Sequence, residues 1–331
     1  MKKIISILLA ICIAAYSSNV YALGECGYSC CLAGATGSGV TLAENIGLSL
    51  QYEYSYMETI KNGTKDITPN EVIRKKGSGY NVPTQMIMQR IALTVAYPAT
   101  DRLNLMVIIP YIINDMDMKN SVKAMPMPME TVSGIGDTML MGLYNIYADA
   151  PIRPEQRLTG GIGIKTPTGS NEVKGKMGYV HAMMQPGSGS WDPLLHLNYM
   201  QAFYPLVLQV NLFYHLTTQG DTGYEFGDQF AYDLIANYQV HDYINIGLQF
   251  NGIHTAKDID HNKKYTKSNS MLDNTNNTGL DSILISPNIV AMIPNTGGSG
   301  MIKFQYPIFQ SVNGMQQVLD WRILASITWG F

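Results

Sequence analysis

The chain ends on Leu319-Asp-Trp-Arg-Ile-Leu-Ala-Ser-Ile-Thr-Trp-Gly-Phe331, and this stretch decides the fold. From Trp321 to Phe331 every second residue is apolar, whereas the residues between them are polar or small, apart from Leu324. A period of two predicts a β-strand with one apolar and one polar face. A last strand that closes on an aromatic residue is typical of outer-membrane β-barrels, and we expect Phe331 to be the assembly signal.

The same alternation runs through four other segments and, more weakly, through seven more. The four are 46–56, 206–215, 232–240 and 244–251, and the seven are 84–97, 103–113, 135–147, 158–166, 191–203, 281–293 and 301–309. With the last strand they make twelve, an even number as bacterial barrels require. Pro110, Pro287 and Pro307 interrupt three of the weaker segments, and proline cannot donate to a strand ladder, so the count is open by two.

Short and long connections alternate between these segments. The short ones are 99–102, 202–205, 240–242 and 294–300, and the longer polar ones are 58–83, 114–134, 167–190, 217–225, 255–280 and 310–317. Barrels of this class have short periplasmic turns and longer outer loops. We therefore predict an all-β chain whose residues 46–331 form a transmembrane antiparallel up-and-down β-barrel in the bacterial outer membrane.

The composition agrees with a barrel and excludes other classes. Only 14% of the residues are charged and 46% are hydrophobic, against roughly 25% charged in an average soluble domain. No apolar stretch after the first residues approaches the ~18 needed for a membrane helix. Basic residues do not cluster, so we expect no nucleic-acid partner.

Residues 1–22 are predicted to be a signal peptide. Lys2 and Lys3 precede an apolar run, and Val20-Tyr-Ala22 places small residues at the cleavage positions. A lipoprotein cut before Cys12 is the alternative. Removal of both lysines leaves 20 basic against 25 acidic residues, a net charge near −5.

Residues 23–45 are predicted to be a periplasmic N-terminal segment that contains Cys26, Cys30 and Cys31. Two of these thiols can form a disulfide in an oxidising compartment, with Cys26 joined to Cys30 or Cys31, because a bridge between adjacent cysteines is strained. Alternatively, the thiolates bind a soft metal such as copper(I). Their spacing matches no standard zinc pattern, and a fourth ligand is missing.

Methionines are concentrated in the loop after the third strand. Met116 and Met118 are followed by the run Met125-Pro-Met-Pro-Met129, in which alternating proline predicts an extended chain with three thioethers on one edge. Thioethers suit copper(I), so Met125, Met127 and Met129 are candidate ligands. Methionine is also a general gap-filling residue, which is the alternative interpretation.

Charged and imidazole side chains of lumen parity are candidates for lining a pore. They are Glu53, Arg90, Asp137, His196, His215, Asp233, Lys303, Asp320 and Arg322. Their mixed signs predict no strong ion preference, and acid–base pairs can instead cross-link a packed lumen, because twelve strands fall between filled and water-filled barrels. A second group in one loop, His254, Asp258, Asp260 and His261, is interpreted as solvated loop rather than a cation site.

An enzyme is not expected. No histidine lies in a hydrolase motif, and Gly187-Ser-Gly-Ser190 resembles the nucleophile elbow only loosely, since a strand–turn–helix setting is missing.

Three motifs carry a family resemblance. They are Ser133-Gly-Ile-Gly-Asp137, Gly161-Ile-Gly-Ile-Lys-Thr-Pro-Thr-Gly169 and Gln185-Pro-Gly-Ser-Gly-Ser-Trp-Asp192, and they resemble the core of the transporter-like outer-membrane family named for the MetA pathway of phenol degradation. Two further segments, Pro307–Gly314 and the closing Ile327–Phe331, also resemble uncharacterised barrels with a cysteine-rich mature N-terminus. The resemblance covers about residue 45 to the end and implies a barrel that passes small solutes.

We therefore expect an outer-membrane channel or transporter for a small solute, with no cofactor. Its partners would be outer-membrane lipid, the barrel-assembly machinery during insertion, and the unidentified solute. The alternatives are a copper-linked barrel that uses the Cys26–Cys31 segment and the Met116–Met129 loop, and a structural or adhesive barrel with a closed lumen.

Overall fold

A closed barrel of twelve antiparallel strands forms the protein in the computed structural model, which describes residues 46–150, 154–175, 178–266, 269–294 and 296–331. The barrel strands are β1 (Gly47–Met57), β2 (Val82–Thr100), β3 (Leu103–Lys119), β4 (Met139–Ala148), β5 (Gln156–Lys165), β6 (Asp192–Phe203), β7 (Leu206–His215), β8 (Gln229–His241), β9 (Ile244–Thr255), β10 (Leu280–Ile293), β11 (Gly298–Gln317) and β12 (Trp321–Gly330). Each strand pairs with its neighbour in sequence, and β1 closes the barrel on β12, from Gly47 opposite Gly330 to Tyr56 opposite Trp321. The twelve predicted strands are confirmed.

Short strands, a helix and 3₁₀ turns lie in the connections between the barrel strands. They are the strands Ile60–Gly63, Lys65–Ile67, Met127–Pro128, Val132–Ile135, Lys174–Gly175, Gly178–Tyr179, Tyr224–Glu225 and Ile259–Asp260, the helix α1 (Pro69–Lys76), and the 3₁₀ turns Ala182–Met184 and Thr275–Asn277. Thr68 caps α1, because its hydroxyl accepts from the Glu71 amide while the Glu71 carboxylate accepts from the Thr68 amide. Among the described residues, no helix is long and apolar enough to cross a membrane.

The three prolines that left the strand count open lie at interruptions of the ladder. Pro110 lies in a short gap in the pairing of β3 on its β4 side. The pairing with β4 stops at Ile108, and the pairing with Val132–Ile135 begins at Tyr111. Pro307 lies at a register shift between β10 and β11. Next to Pro287, the pairing of the same two strands is interrupted between Ile285 and Asn288. Proline is tolerated because its missing N–H falls where the ladder is already interrupted.

The end with the longer connections, called the long-loop end below, extends further than predicted. β3 continues to Lys119 and β11 to Gln317, so that parts of the expected loops 114–134 and 310–317 are strand. On β3 the partly exposed Asp115 and Asp117 alternate with the buried Met116 and Met118. This reversed polarity fits a strand that has left the lipid and faces water outside.

Apolar side chains cover the outside of the barrel along its middle. On β12, Ile323, Ile327 and the terminal Phe331 are each about 40% exposed, while Leu324, Ser326 and Thr328 are buried inside. The amide of Phe331 donates to the Ile46 carbonyl at 2.9 Å, which ties the chain end to the start of β1. The predicted parity of this strand therefore holds, and the barrel interior is built from the other parity.

Candidate functional site

One side of the barrel interior is apolar. Its inward residues form a continuous buried cluster, called the apolar wall: Ala92, Ala96, Met106, Ile108, Met141, Leu143, Leu194, Phe213 and Ala231. Most of them come from β2, β3 and β4, and the rest from β6, β7 and β8. None of these residues was predicted to line the lumen, although Met106, Ile108 and Pro110 share one parity on β3.

The opposite side is polar and is called the polar wall: Ser49, Gln51, Glu53, Asp233, Gln249, Asn251, Ser286, Asn288, Lys303, Gln305, Arg322, Ser326 and Thr328. Glu53 lies at its centre, where its carboxylate pairs with Arg90 of β2 and with the Arg322 Nε at 3.1 Å. Arg322 also donates to the Ser55 hydroxyl at 2.8 Å and to the Gln305 amide oxygen at 3.4 Å. A buried carboxylate thus holds two guanidinium groups from neighbouring strands.

The hydrogen bonds continue round the barrel from Gln305. Its amide donates to the Asn251 oxygen at 3.2 Å, and the Asn251 amide donates to Asp233 at 2.5 Å. Asn211 then links Asp233, at 3.4 Å, to Asn198, whose amide donates to the Asn211 oxygen at 2.6 Å. Five of the predicted lumen residues, Glu53, Arg90, Asp233, Lys303 and Arg322, lie in or beside this network.

Side chains fill the lumen at this level. Asp233, Gln249 and Ser286 have no exposed surface, and Lys303, whose ammonium donates to the Gln249 oxygen at 3.1 Å, is 1% exposed. On the apolar side Ile108 and Ala231 are equally inaccessible. Because an open water channel would leave such residues exposed, the described conformation is packed rather than permanently open.

The other four predicted residues lie elsewhere, and two of them, Asp320 and His196, occupy separate positions. Asp320 accepts from the amides of Glu58 and Thr59 at 2.5 and 3.1 Å and from the Thr59 hydroxyl at 2.6 Å, so it anchors the loop that follows β1. His196 is buried opposite Gly161 and Phe213, at the border of the apolar wall. Its Nδ1 has no hydrogen-bond partner within the described part of the chain.

Asp137 and His215 belong to a charged group at the long-loop end, called the rim cluster: Asp137, Lys165, Ser188, Asp192 and His215. The Lys165 ammonium lies 3.2 Å from Asp137, 2.6 Å from Asp192 and 2.5 Å from the Ser188 hydroxyl. His215 Nε2 lies 3.0 Å from the same Asp192 oxygen. The rim cluster joins the three motifs of the sequence analysis, since each contributes at least one of its residues.

Glycines allow the rim cluster to close. A Cβ atom on Gly187 would lie 2.3 Å from the Gly169 carbonyl oxygen and 2.6 Å from Asp137 Oδ1. The Asp137 carboxylate accepts instead from the amides of Gly169 and Ser188, at 3.0 and 2.8 Å. The glycines at positions 169 and 187 are therefore explained by the close approach of their two backbone segments.

The geometry of Ser188 does not resemble that of a hydrolase nucleophile. Its hydroxyl donates to Asp137 at 2.7 Å and accepts from the Lys165 ammonium at 2.5 Å. Activation of a serine requires a base that can accept its proton. Ser188 is only 6% exposed, so the arrangement serves to hold the rim together.

The loops 167–190 and 255–280 cover this end of the barrel, and together they are called the roof. His181 pairs with Asp273 at 2.5 Å, the Tyr265 hydroxyl donates to the Asn171 carbonyl, and Lys264 pairs with Glu172 at 2.7 Å.

The hydrogen bond between Tyr224 and Asp258 joins one further loop, 217–225, to the roof. The Tyr224 hydroxyl donates to Asp258 at 2.6 Å. Burial, with the Asp258 charge, raises the pKa of Tyr224 far above its ordinary value, so this phenol stays protonated and remains a hydrogen-bond donor.

The predicted thioether ligands differ in their exposure, and their role in binding copper stays a prediction. Met125 and Met127 are 82% and 57% exposed, whereas Met129 packs against buried residues inside the long-loop end of the barrel. Cys26, Cys30 and Cys31 lie outside the described residues, so their disulfide or metal role stays a prediction. In those described, no group of three histidine, cysteine or acidic residues is arranged for a metal ion.

The residues of the second loop group each have a different partner. His254 pairs with Asp281 at 2.6 Å and His261 with Glu225 at 2.8 Å. Asp260 accepts from the amides of residues 264–266. His254 belongs to the end of β9 and the other three to the loop that follows, and their interpretation as solvated residues stays a prediction.

Comparisons with known proteins agree with this architecture. The sequence profile of a family described as the putative MetA-pathway of phenol degradation matches residues 99–272, more than half of the chain. No curated protein sequence matches.

Among solved structures, the fold is similar to that of an outer membrane channel from Pseudomonas putida F1, with a TM-score of 0.61 and 12% identity over 88% of this chain and 97% of the other. A Pseudomonas aeruginosa FadL homologue matches with a TM-score of 0.44 and 9% identity over 87% and 91% of the two chains. The first of these supports the barrel fold.

Proposed function

The chain belongs to the family of the putative MetA-pathway of phenol degradation, and from this premise we propose that it is an outer-membrane channel for small, mainly apolar solutes that carry a polar group. The observation that supports this proposal is the division of the lumen into an apolar wall and a polar wall. A solute with one apolar and one polar side can contact the apolar wall and form hydrogen bonds with the polar wall at once. A hydrated sugar or ion would have to lose water against the apolar wall without gaining hydrogen bonds there.

A solute can cross this packed lumen only if side chains move. Ile108 and Asp233 are both inaccessible to water, so a solute must displace neighbours rather than enter an open pore. Methionine at positions 106 and 141 of the apolar wall suits this, because its unbranched side chain has three rotatable bonds. We therefore expect low ion conductance together with measurable passage of apolar solutes.

The test measures permeation of the outer membrane in intact, de-energised, porin-depleted cells that express the chain. The fluorescence rise of the apolar dye N-phenyl-1-naphthylamine reports apolar passage, and periplasmic hydrolysis of a hydrophilic β-lactam reports water-filled passage. We expect the chain to accelerate the first several-fold and the second little.

The matched variants place a near-isosteric change on each wall. Met106→Gln with Ile108→Thr makes the apolar wall polar and should slow dye uptake at least threefold. Gln51→Met with Thr328→Val makes the opposite change and should not slow it. Equal dye uptake in both variants at equal barrel levels, or faster uptake of the β-lactam than of the dye, would overturn the proposal.

A further inference from the structure

Methionines from five segments of the chain meet inside the long-loop end of the barrel. This methionine cluster comprises Met57, Met86, Met88, Met116, Met118, Met129, Met183 and Met184, packed with Val132, Val173, Val180 and Leu272. Met86 and Met184 have no exposed surface, and Met116 is 3% exposed. The chain has 20 methionines, so eight of them contribute to one site.

The preference for methionine is specific to the inward face. On β2, Met86 and Met88 point inward, whereas the residues that alternate with them further along the outward face include Ile91 and Leu93, both more than a third exposed. On β3, Met116 and Met118 are buried, while Ile109 is 40% exposed on the outside. The same strands thus carry branched aliphatic side chains on the face toward lipid and unbranched methionine side chains inside the long-loop end.

The methionine cluster lies between the roof and the apolar wall. Asn114 donates to the Met184 carbonyl at 3.1 Å, which holds the turn Ala182–Met184 against β3. Further down the same inward face of β3 come Ile112, Pro110 and then Ile108 of the apolar wall. An apolar solute that passes the roof would meet the thioethers first.

We propose that the methionine cluster is the first binding site for the apolar solute and that it favours an aromatic solute over a saturated one of equal size. This inference rests on the proposed function and specifies its substrate class. Thioether sulfur is polarisable and makes favourable contacts with aromatic rings, and methionine adapts its shape to different ligands. Leucine or isoleucine at the same positions would present a fixed shape without the sulfur contact.

The experiment titrates the full-length barrel in lipid nanodiscs, with methyl-¹³C-methionine labels, against benzyl alcohol and cyclohexylmethanol. These two probes share one polar group and ring size and differ in aromaticity. We expect ring-current shifts at the methyl groups of the methionine cluster and smaller ones at Met200 and Met301, which lie in separate small clusters. Benzyl alcohol should bind about two- to tenfold more tightly than cyclohexylmethanol.

Paired leucine variants separate the site from general partitioning. Met86→Leu with Met116→Leu should remove the preference for benzyl alcohol, whereas Met200→Leu with Met301→Leu should retain it. Equal shifts at all methionines, or an unchanged preference in the first variant, would overturn the inference. A silver(I) titration is the third arm: saturable shifts of the cluster with silver(I), and none with benzyl alcohol, would replace a solute site by a soft-metal site.

The two proposals fail in different ways. Binding at the methionine cluster without any acceleration of dye uptake in cells would remove the proposed channel function and leave the site. Accelerated dye uptake that depends on the apolar wall, with no binding at the cluster, would remove the site and leave the channel.

Discussion

The two walls of the lumen are built by the same alternation of residues but held by different forces. The apolar wall needs no specific partners, because Met106, Ile108 and Leu143 stabilise it by removing apolar surface from water. The polar wall is stable only if its buried polar groups form hydrogen bonds or ion pairs with one another, as Glu53 does with Arg90 and Arg322. We expect the apolar wall to tolerate repacking and the polar wall to tolerate little change.

The largest effect should come from a change that prevents both walls from closing. Phe331→Ser removes the aromatic side chain of the residue that follows β12, the strand that closes the barrel against β1. We expect a severe loss of membrane-embedded protein, measured as heat-modifiable band in outer-membrane fractions. Ala325→Ser, on the same face of the same strand, is the control and should assemble. Normal levels of embedded Phe331→Ser protein would contradict the assigned role of the terminal residue.

Within the assembled barrel, the polar wall should be the more sensitive to substitution. Glu53→Gln leaves two partly buried guanidinium groups without their carboxylate and should lower the free energy of unfolding by about 3 kcal/mol. Urea unfolding of the refolded barrel in lipid, followed by tryptophan fluorescence, measures the change. Ser326→Ala, in the same wall, should change stability by less than about 1 kcal/mol. A Glu53→Gln barrel as stable as the parent would mean that the ion pairs contribute nothing.

The apolar wall should show a smaller effect. Ile108 and Thr94 lie directly opposite each other on β3 and β2, and both are buried. Ile108→Thr should cost about 1–3 kcal/mol because it buries a hydroxyl in apolar surroundings. The same unfolding assay on Thr94→Val should show a change within about 1 kcal/mol. If Thr94→Val were the more damaging of the two, the division between the walls would have to be redrawn.

Much of this fold was predictable because alternation is a local property. The segment 206–215 was predicted to the residue, and β12 was placed with its correct outward face. The extension of β3 to Lys119 was missed because Asp115-Met-Asp-Met118 is polar outside and apolar inside, the reverse of a lipid-facing strand. The signal was present, since the period of two continues through it.

The contacts of the site were less predictable because they depend on register and loop closure. The lumen parity of Asp233 and Arg322 was visible, but the hydrogen-bonded path between them crosses several strands whose relative shifts no single strand encodes. Asp137 was expected in the pore, yet the close approach of Gly169 and Gly187 draws its carboxylate into the rim cluster. Lys165 was overlooked because a lone lysine in a glycine-rich motif gives no sign of its distant partners.

The unequal exposure of the methionines gives the protein a graded response to oxidants. Met125 and Met127 stand exposed at the tip of the long-loop end, whereas Met86 and Met184 are inaccessible. Because sulfoxide formation follows access to the sulfur, peroxide from outside should consume the two tip residues before it reaches the mouth. Met125 and Met127 would then act as sacrificial scavengers, because their oxidation changes two exposed side chains and leaves the buried methionine cluster unmodified.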